Sequence, residues 1–529
     1  MKSMNGTPYS NFGYAILSAQ RNRAPRMPAL AYCGRERLTY AELDGRVNRT
    51  ANALLAAGIR PGERVATLLD STLSVAEIYL AQTKIGSVLC ALNPYWTLDT
   101  IEQIVTRIEA TTFLYDAKFD RVIDQLRPML QHIRTWIRTG AAPDSRDTVD
   151  LNQLTMEAPE TEPPLGAGGD DLLALFFTSG TTGLPKAVQY THASGIAIAQ
   201  GLWADVPVLR QAALGTGPII WGVGFIAVAA PALAAGITLV LEDNFGPEQF
   251  LKTVPRESIT HISVTPSFFV ELLSTADHEA VDLSSLRVAM LGGEPLLTSL
   301  KDRISRRLPS LELYGYYGQT EAPYSVIGRR DDGSVPDGVV GWARFGGAVR
   351  VVDSTGAPVI DTVGEVQISG PHVSAGYYGQ PDATNEALRD GWFVGGDIGS
   401  LDEHGRLTVL GRRTDAIERG GVLTLPAQIE DVASRVDGVA EAGAVGLPVQ
   451  DSDPQILLVL APKQGCELDR EEIADRLAAA LAPASRPDHI VVVDSLPHAN
   501  DGSGGKGKLL RRVLVEQFGH LADSSVVKG

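Results

Sequence analysis

Thr178-Ser179-Gly180-Thr181-Thr182-Gly183-Leu184-Pro185-Lys186 directly follows the apolar run at 172–177. The run reads as a buried strand. The nonapeptide reads as a loop built to hold phosphate. Its glycines permit positive φ and close backbone approach. Successive backbone N–H groups can form an anion-binding nest. The hydroxyls add donors, and Lys186 adds a mobile positive charge. A generic Gly/Ser/Thr loop would read as a polar hairpin; this whole nonapeptide points to a polyphosphate. The spacing is not G-x-x-x-x-G-K-[ST], because the lysine follows Pro185 and precedes Ala187.

Working outward, residues 38–58 carry a helical stripe at Leu43, Val47, Ala51, Leu54 and Leu55, with Gly58 placed to end it. Residues 64–69 read as a short strand, 76–85 as a helix and 86–90 as another strand. Strands and helices in alternation predict an α/β fold, with parallel and mixed sheets flanked by helices. Residues 157–170, rich in Pro, Gly and acidic side chains, read as a surface linker. Beyond residue 411 the texture changes. Strands at 442–447, 456–461 and 490–493, with a helix marked by Ile473, Leu477 and Leu481, predict a compact α+β unit. The expected division is therefore a large region at 1–411 and a small one at 412–529, with a frayed tail after Gln517.

The chain has 529 residues, more than one hydrophobic core usually organises. Its formal net charge of −17 disfavours nonspecific binding to nucleic acid or an anionic membrane. Cys33, Cys90 and Cys466 are odd in number and widely spaced, so neither a disulfide framework nor a zinc pattern follows. The N-terminus shows no long apolar signal segment. The most apolar stretch, 219–241, is broken by Gly222, Gly224, Pro231 and Gly236, and reads as buried core rather than a membrane span. These features predict a cytoplasmic protein, either monomer or homodimer.

TSGTTGLPKAV resembles the signature of the superfamily of acyl-CoA synthetases, nonribosomal peptide synthetase adenylation domains and luciferases, with Ala187 where glycine is usual. Further motifs follow in the family's order. Tyr317-Gly318-Gln319-Thr320-Glu321 resembles the Y-G-x-T-E run. Gly391-Trp392-Phe393, Gly396-Asp397, Gly411-Arg412 and Asp415 resemble the G-W-F-x-T-G-D and G-R-x-K-D pair, with Gly395 where threonine is usual. Gly364-Glu365, Gly370-Pro371 and Gly376-Tyr377 resemble a connecting motif and are expected to be structural. Gly507-Lys508-Leu509-Leu510-Arg511 resembles the C-terminal G-K-x-x-R motif.

The resemblance implies ATP, Mg²⁺ and a small acid as reactants. An aromatic ring among Tyr316 and Tyr317 would stack on adenine, beside Gly293-Glu294-Pro295. Thr320 would donate to the α-phosphate, and Glu321 would hold Mg²⁺ through its carboxylate. Asp397 would accept from the ribose hydroxyls, with Arg412 beside it. Lys508 would be the catalytic lysine, bridging the attacking oxygen and the phosphate; Lys506 is the competing candidate. Trp221, Gly222, Phe225, Gly292, Tyr314 and Gly315 would line the acid pocket. Glu294 would face the adenine amino group or a polar substituent on an aromatic acid.

Thr414 occupies the hinge about which the small region would turn. The following Gly420-Gly421-Val422-Leu423 lacks the usual asparagine, which puts the second half-reaction in question. The leading expectation is acid activation as acyl-AMP followed by transfer to CoA. The alternative keeps adenylation and changes the acceptor: a carrier-protein thiol, or nitrite activated for diazotisation of an arylamine.

Overall fold

The computed structural model describes all residues except 1–6, 71–72, 141–146, 179–183, 210, 217–218, 220–221, 223, 276–278, 337, 451, 464, 499–508 and 524–529. The chain is mixed α/β, and the described residues form sheets of fifteen, seven, three and two strands.

The helix predicted at 38–58 is Tyr40–Ala56. Thr39 caps it, accepting from the Glu42 backbone N–H while the Glu42 carboxylate accepts from the Thr39 N–H. This reciprocal cap satisfies two donors that a helix start leaves unpaired. The helix packs beside Leu73–Ile85, and the two alternate along the chain with Arg64–Leu68 and Val88–Ala91, parallel neighbours in the seven-stranded sheet. That sheet is parallel from Val149–Asp150 across to Leu172–Phe177. Ala187–Thr191 then closes it antiparallel, with Phe177 opposite Ala187. The two strands flanking the phosphate loop are therefore hydrogen-bonded neighbours.

The fifteen-stranded sheet has a parallel run of six strands: Glu312–Gln319, Val288–Leu291, His261–Val264, Ala213–Thr216, Thr238–Leu241 and Pro28–Tyr32. On one flank it continues as antiparallel strands through Ala322–Arg329 and Arg406–Arg412 to Trp392–Leu401 and beyond. The apolar stretch at 219–241 is core: Phe225, Ile226, Leu233 and Leu239 are buried in one cluster. No described helix is long and apolar enough to cross a membrane.

After Arg406–Arg412, the short turn Arg413–Asp415 leads into a two-stranded hairpin and a three-stranded sheet. Val439–Val449 pairs antiparallel with Ser452–Pro462, which pairs parallel with His489–Val492. These strands bury a separate core with Ile429, Ile473 and Leu477. The tail is more ordered than its composition predicts. Helix Arg511–Phe518 buries Leu514 and is followed by His520–Asp523 with Ala522 buried, so apolar anchors hold it.

The stretch at 157–170 is not a free surface linker. Lys84 is fully buried, and its ammonium lies 2.7 Å from Asp44 and 2.8 Å from Glu162. It also donates to Asn48 at 2.6 Å, while Arg21 pairs with both carboxylates. The acidic stretch thus supplies a counter-charge that a buried cation requires. Its composition resembles a linker because composition does not record where a charge is used.

His192 begins the helix His192–Asp205 and is fully buried. Its Nδ1 accepts the Phe12 backbone N–H at 2.9 Å, so the ring must be neutral to keep that bond. Burial pushes its pKa from 6.5 down to about 4, against a weaker pull from Asp171. The unfolded chain takes up this proton near pH 6.5 and the native chain only near 4. The contribution of the neutral ring is therefore complete above pH 6.5 and declines as pH falls toward 4, by about 2 kcal/mol at pH 5. Urea unfolding at pH 7 and pH 5 should show this loss, and His192→Gln should lose about 2 kcal/mol less than the parent over the same interval.

Candidate active site

Ligands of parallel α/β sheets bind beyond the carboxyl ends of the strands. Here the ends of His261–Val264, Val288–Leu291 and Glu312–Gln319 meet, carrying Ser263 to Ser267, Gly292 to Pro295, and Gln319 to Glu321. The last strand turns back tightly, with Gln319 opposite Ala322. A Cβ at Gly318 would lie 2.6 Å from the Ala322 carbonyl oxygen, so only glycine fits this turn.

Asp397 is the centre of the first cluster and is nearly buried. Tyr317 donates its hydroxyl to Oδ2 at 2.6 Å, and the Gln319 amide donates to the same oxygen at 2.6 Å. Arg412 Nε lies 2.9 Å from Oδ1. Asp397 and Arg412 are directly opposite on adjacent antiparallel strands, which is why residues fifteen positions apart meet. Burial, then the Asp397 charge, pushes the Tyr317 phenol well above its usual pKa, so it stays a donor.

Gly395 explains how this cluster accommodates its missing threonine. A Cβ there would lie 2.2 Å from Gln319 Nε2. The Gln319 amide fills that space instead, and Gly395 O accepts from Gln319 Nε2 at 3.3 Å and Arg412 Nη1 at 2.9 Å.

The second cluster joins the two large sheets. Tyr190, buried in strand Ala187–Thr191, donates its hydroxyl to the Thr320 carbonyl. Ser374 N–H donates to the Glu321 carbonyl at 2.8 Å. Tyr377 donates its hydroxyl to Glu321 Oε1 at 2.6 Å, and the Lys186 ammonium sits 4.6 Å from the centre of the Tyr377 ring. Thr178 N–H donates to the Lys186 carbonyl at 3.1 Å, joining the ends of the phosphate loop. Ser179, Gly180, Thr181, Thr182 and Gly183 lie outside the described residues.

The expected acid pocket is only partly assembled. The Tyr316 ring covers Gly292, where a Cβ would lie 2.3 Å from the ring, and stacks edge-on against Tyr324 at 4.5 Å. Tyr324 OH lies 3.4 Å from Ser263 Oγ. Gly222 backs onto Phe176, where a Cβ would lie 1.7 Å from the ring. Gly293 has φ of 81°, and Pro295 beside it is exposed. Glu294 accepts from Ser267 N–H at 3.1 Å and Ser267 Oγ at 3.2 Å, at the start of helix Pro266–Leu272. Phe225 packs in the core against Phe12 and Tyr79. Tyr314 turns its hydroxyl to Glu312 at 3.1 Å, and Gly315 faces the Arg330 stem. Trp221 lies outside the described residues.

Thr414 is exposed in the turn after Arg412, its hydroxyl 3.5 Å from Asp415. Lys506 and Lys508 lie outside the described residues. The flanking His498 and Leu509 pair as an antiparallel bridge. Arg511 donates to Glu430 at 2.6 Å. Burial raises the Glu430 pKa despite the adjacent Arg511 guanidinium. Sequence reasoning missed Tyr190 and gave Tyr377 only a structural role. A tyrosine in a Gly-Tyr pair was the available signal for Tyr377; nothing marked Tyr190.

Comparison with known proteins agrees with this arrangement. The AMP-binding enzyme family model matches residues 17–378, and the model of the AMP-binding enzyme C-terminal domain matches 428–503. A feruloyl-CoA synthase of an Amycolatopsis species is 31% identical over 95% of this chain and 99% of its own. A medium-chain fatty-acid–CoA ligase of Escherichia coli is 29% identical over 91% of this chain and 86% of its own. The crystal structure of ATP-bound MatB from Rhodopseudomonas palustris is 26% identical and superposes with a TM-score of 0.87, covering 97% of this chain and 99% of that one.

Gly395→Thr must displace the Gln319 amide from Asp397. AMP affinity, measured by calorimetric titration, should fall by about three- to tenfold. Adding Gln319→Ala should recover part of the loss, as the threonine hydroxyl takes the vacated space.

Proposed function

The chain belongs to the AMP-binding enzyme family and is an ATP-dependent, AMP-forming acid–thiol ligase, and from that premise we propose that it activates a small aromatic acid and transfers it to CoA. The observation that carries this reading is the convergence of two built clusters, Asp397 with Tyr317, Gln319 and Arg412, and Glu321 with Tyr377 and Lys186, at the same strand ends.

In this reading Asp397 accepts the ribose hydroxyls, and Arg412 fixes its carboxylate. Thr320 donates to the α-phosphate, and Lys186 with the loop at 178–186 grips the outer phosphates. The acid's carboxylate oxygen attacks the α-phosphorus and pyrophosphate leaves, with Lys508 countering the negative charge that accumulates. The CoA sulfur then attacks the acyl carbon and AMP leaves. The region at 412–529 turns about Thr414 between these steps. Mg²⁺ arriving with ATP would offset phosphate charge, and Glu321 suits it: a carboxylate is a hard donor, and among the described residues only its Oε1 has a side-chain partner.

The aromatic preference is supported by the walls. Tyr316 lies over Gly292, and Phe176 over Gly222, where any side chain would collide. Stacked faces of this kind favour a flat ring over a long flexible chain. Glu294 is engaged at a helix start, so it serves as a fixed polar edge. Acid-dependent exchange of labelled pyrophosphate into ATP should appear with Mg²⁺ present. Substituted benzoates and cinnamates should exceed straight-chain acids by about tenfold in kcat/KM, on the order of one well-made ring contact. A preference for straight chains would remove the aromatic assignment. Steady turnover with nitrite or carrier protein, and none with CoA, would replace the acceptor.

A further inference from the structure

We propose that Tyr377 is a positioning residue for the triphosphate, interposed between Lys186 and Glu321 so that their opposite charges stay apart and available to the nucleotide. The proposal rests on the functional reading above and assigns a role to a residue whose motif otherwise reads as structural.

Glu321 is buried and Lys186 exposed beside it, and a cation at the mouth of a site attracts a carboxylate within it. If they paired, each would be neutralised before a ligand arrived. Here the Lys186 ammonium sits 4.6 Å from the Tyr377 ring centre, while the hydroxyl of the same ring donates to Glu321 Oε1 at 2.6 Å. Among the described residues no ion pair joins Lys186 to Glu321. The ring face offers the ammonium a weaker, reversible partner. The hydroxyl donates to the carboxylate and so orients it without cancelling its charge, because a phenol donor brings no positive charge of its own.

The backbone makes the spacing reproducible. Tyr377 pairs with Val188 as an antiparallel bridge, and Tyr378 N–H donates to the Ala187 carbonyl at 2.8 Å. Its own N–H donates to Thr384 Oγ1 at 2.9 Å. Three residues earlier, Ser374 N–H holds the Glu321 carbonyl. One short segment is thus tied to the strand that continues from Lys186 and to the turn that carries Glu321. A phenol anchored to both sets the gap between them.

The test compares ATP with AMP in the full chain, because AMP lacks the outer phosphates that Lys186 would grip. Tyr377→Phe keeps the ring and removes the hydroxyl; Tyr377→Leu removes both. By calorimetric titration, AMP affinity should stay within about twofold in each variant, which also reports that the site is folded. ATP affinity in Tyr377→Leu should fall by about tenfold. In Tyr377→Phe the concentration of free Mg²⁺ that half-saturates ATP binding should rise by about tenfold, while ATP affinity at saturating Mg²⁺ stays near the parent's. Equal weakening of AMP and ATP would overturn the proposal in favour of simple packing. Unchanged ATP binding and unchanged Mg²⁺ dependence would overturn it as well. Failure of the unaltered chain to bind ATP would overturn the functional reading, and this one with it.

Discussion

Glu321 is held from both large sheets at once, and the rest of the site is arranged around that constraint. Its peptide neighbour Thr320 receives a hydroxyl from Tyr190 of the seven-stranded sheet. Its own carbonyl and carboxylate receive bonds from the segment at 374–378, which is hydrogen-bonded to Ala187–Thr191 of that same sheet. Yet Glu321 sits at the turn of a hairpin belonging to the fifteen-stranded sheet. The relative position of the sheets is therefore expressed at one carboxylate. Buried charged and hydroxyl groups demand partners, so these bonds make the alignment of the sheets a local chemical requirement. The strand after Lys186 carries the same alignment to the phosphate loop.

The electrostatics of the site follow from how little freedom its acids have. Asp397 meets a phenol and an amide at one carboxylate oxygen and a guanidinium at the other. A carboxylate so surrounded has a fixed plane, which is what recognition of two neighbouring hydroxyls demands. Because the donors come from strand pairs whose register is set by the sheet, the geometry belongs to the scaffold rather than to loops.

Much of this was legible in the chain itself. The apolar run at 172–177 is a strand with the boundaries expected, and the apolar stripe from Leu43 to Leu54 is the buried face of the helix Tyr40–Ala56. The α/β architecture follows from alternation of such elements. Tyr317, Gln319 and Arg412, read from the resemblance of their motifs, each come within hydrogen-bond distance of Asp397. What was not legible depends on pairs distant in sequence. Nothing near Gly395 says that the amide of Gln319 fills its missing side chain. Nothing near Tyr190 says that its hydroxyl reaches Thr320. Glu294 reads as an acid facing the adenine or the substrate, but a helix start twenty-seven residues away in the chain is invisible to a local pattern, and Ser267 holds its carboxylate. Phe225 and Tyr314 fell in the expected stretches, but their rings and hydroxyls turn to the core and to Glu312.

The buried cluster of Lys84, Asp44, Glu162 and Arg21 has a practical corollary for anyone altering this protein. By composition, the acidic Pro/Gly stretch is the natural place to splice a fusion, an epitope or a protease site. Yet Glu162 shares with Asp44 the task of balancing a fully buried ammonium and an adjacent guanidinium, and displacing it would leave two cations with one carboxylate in a low-dielectric interior. The stretch is a clasp in disguise, intolerant of changes in length, and grafts belong elsewhere.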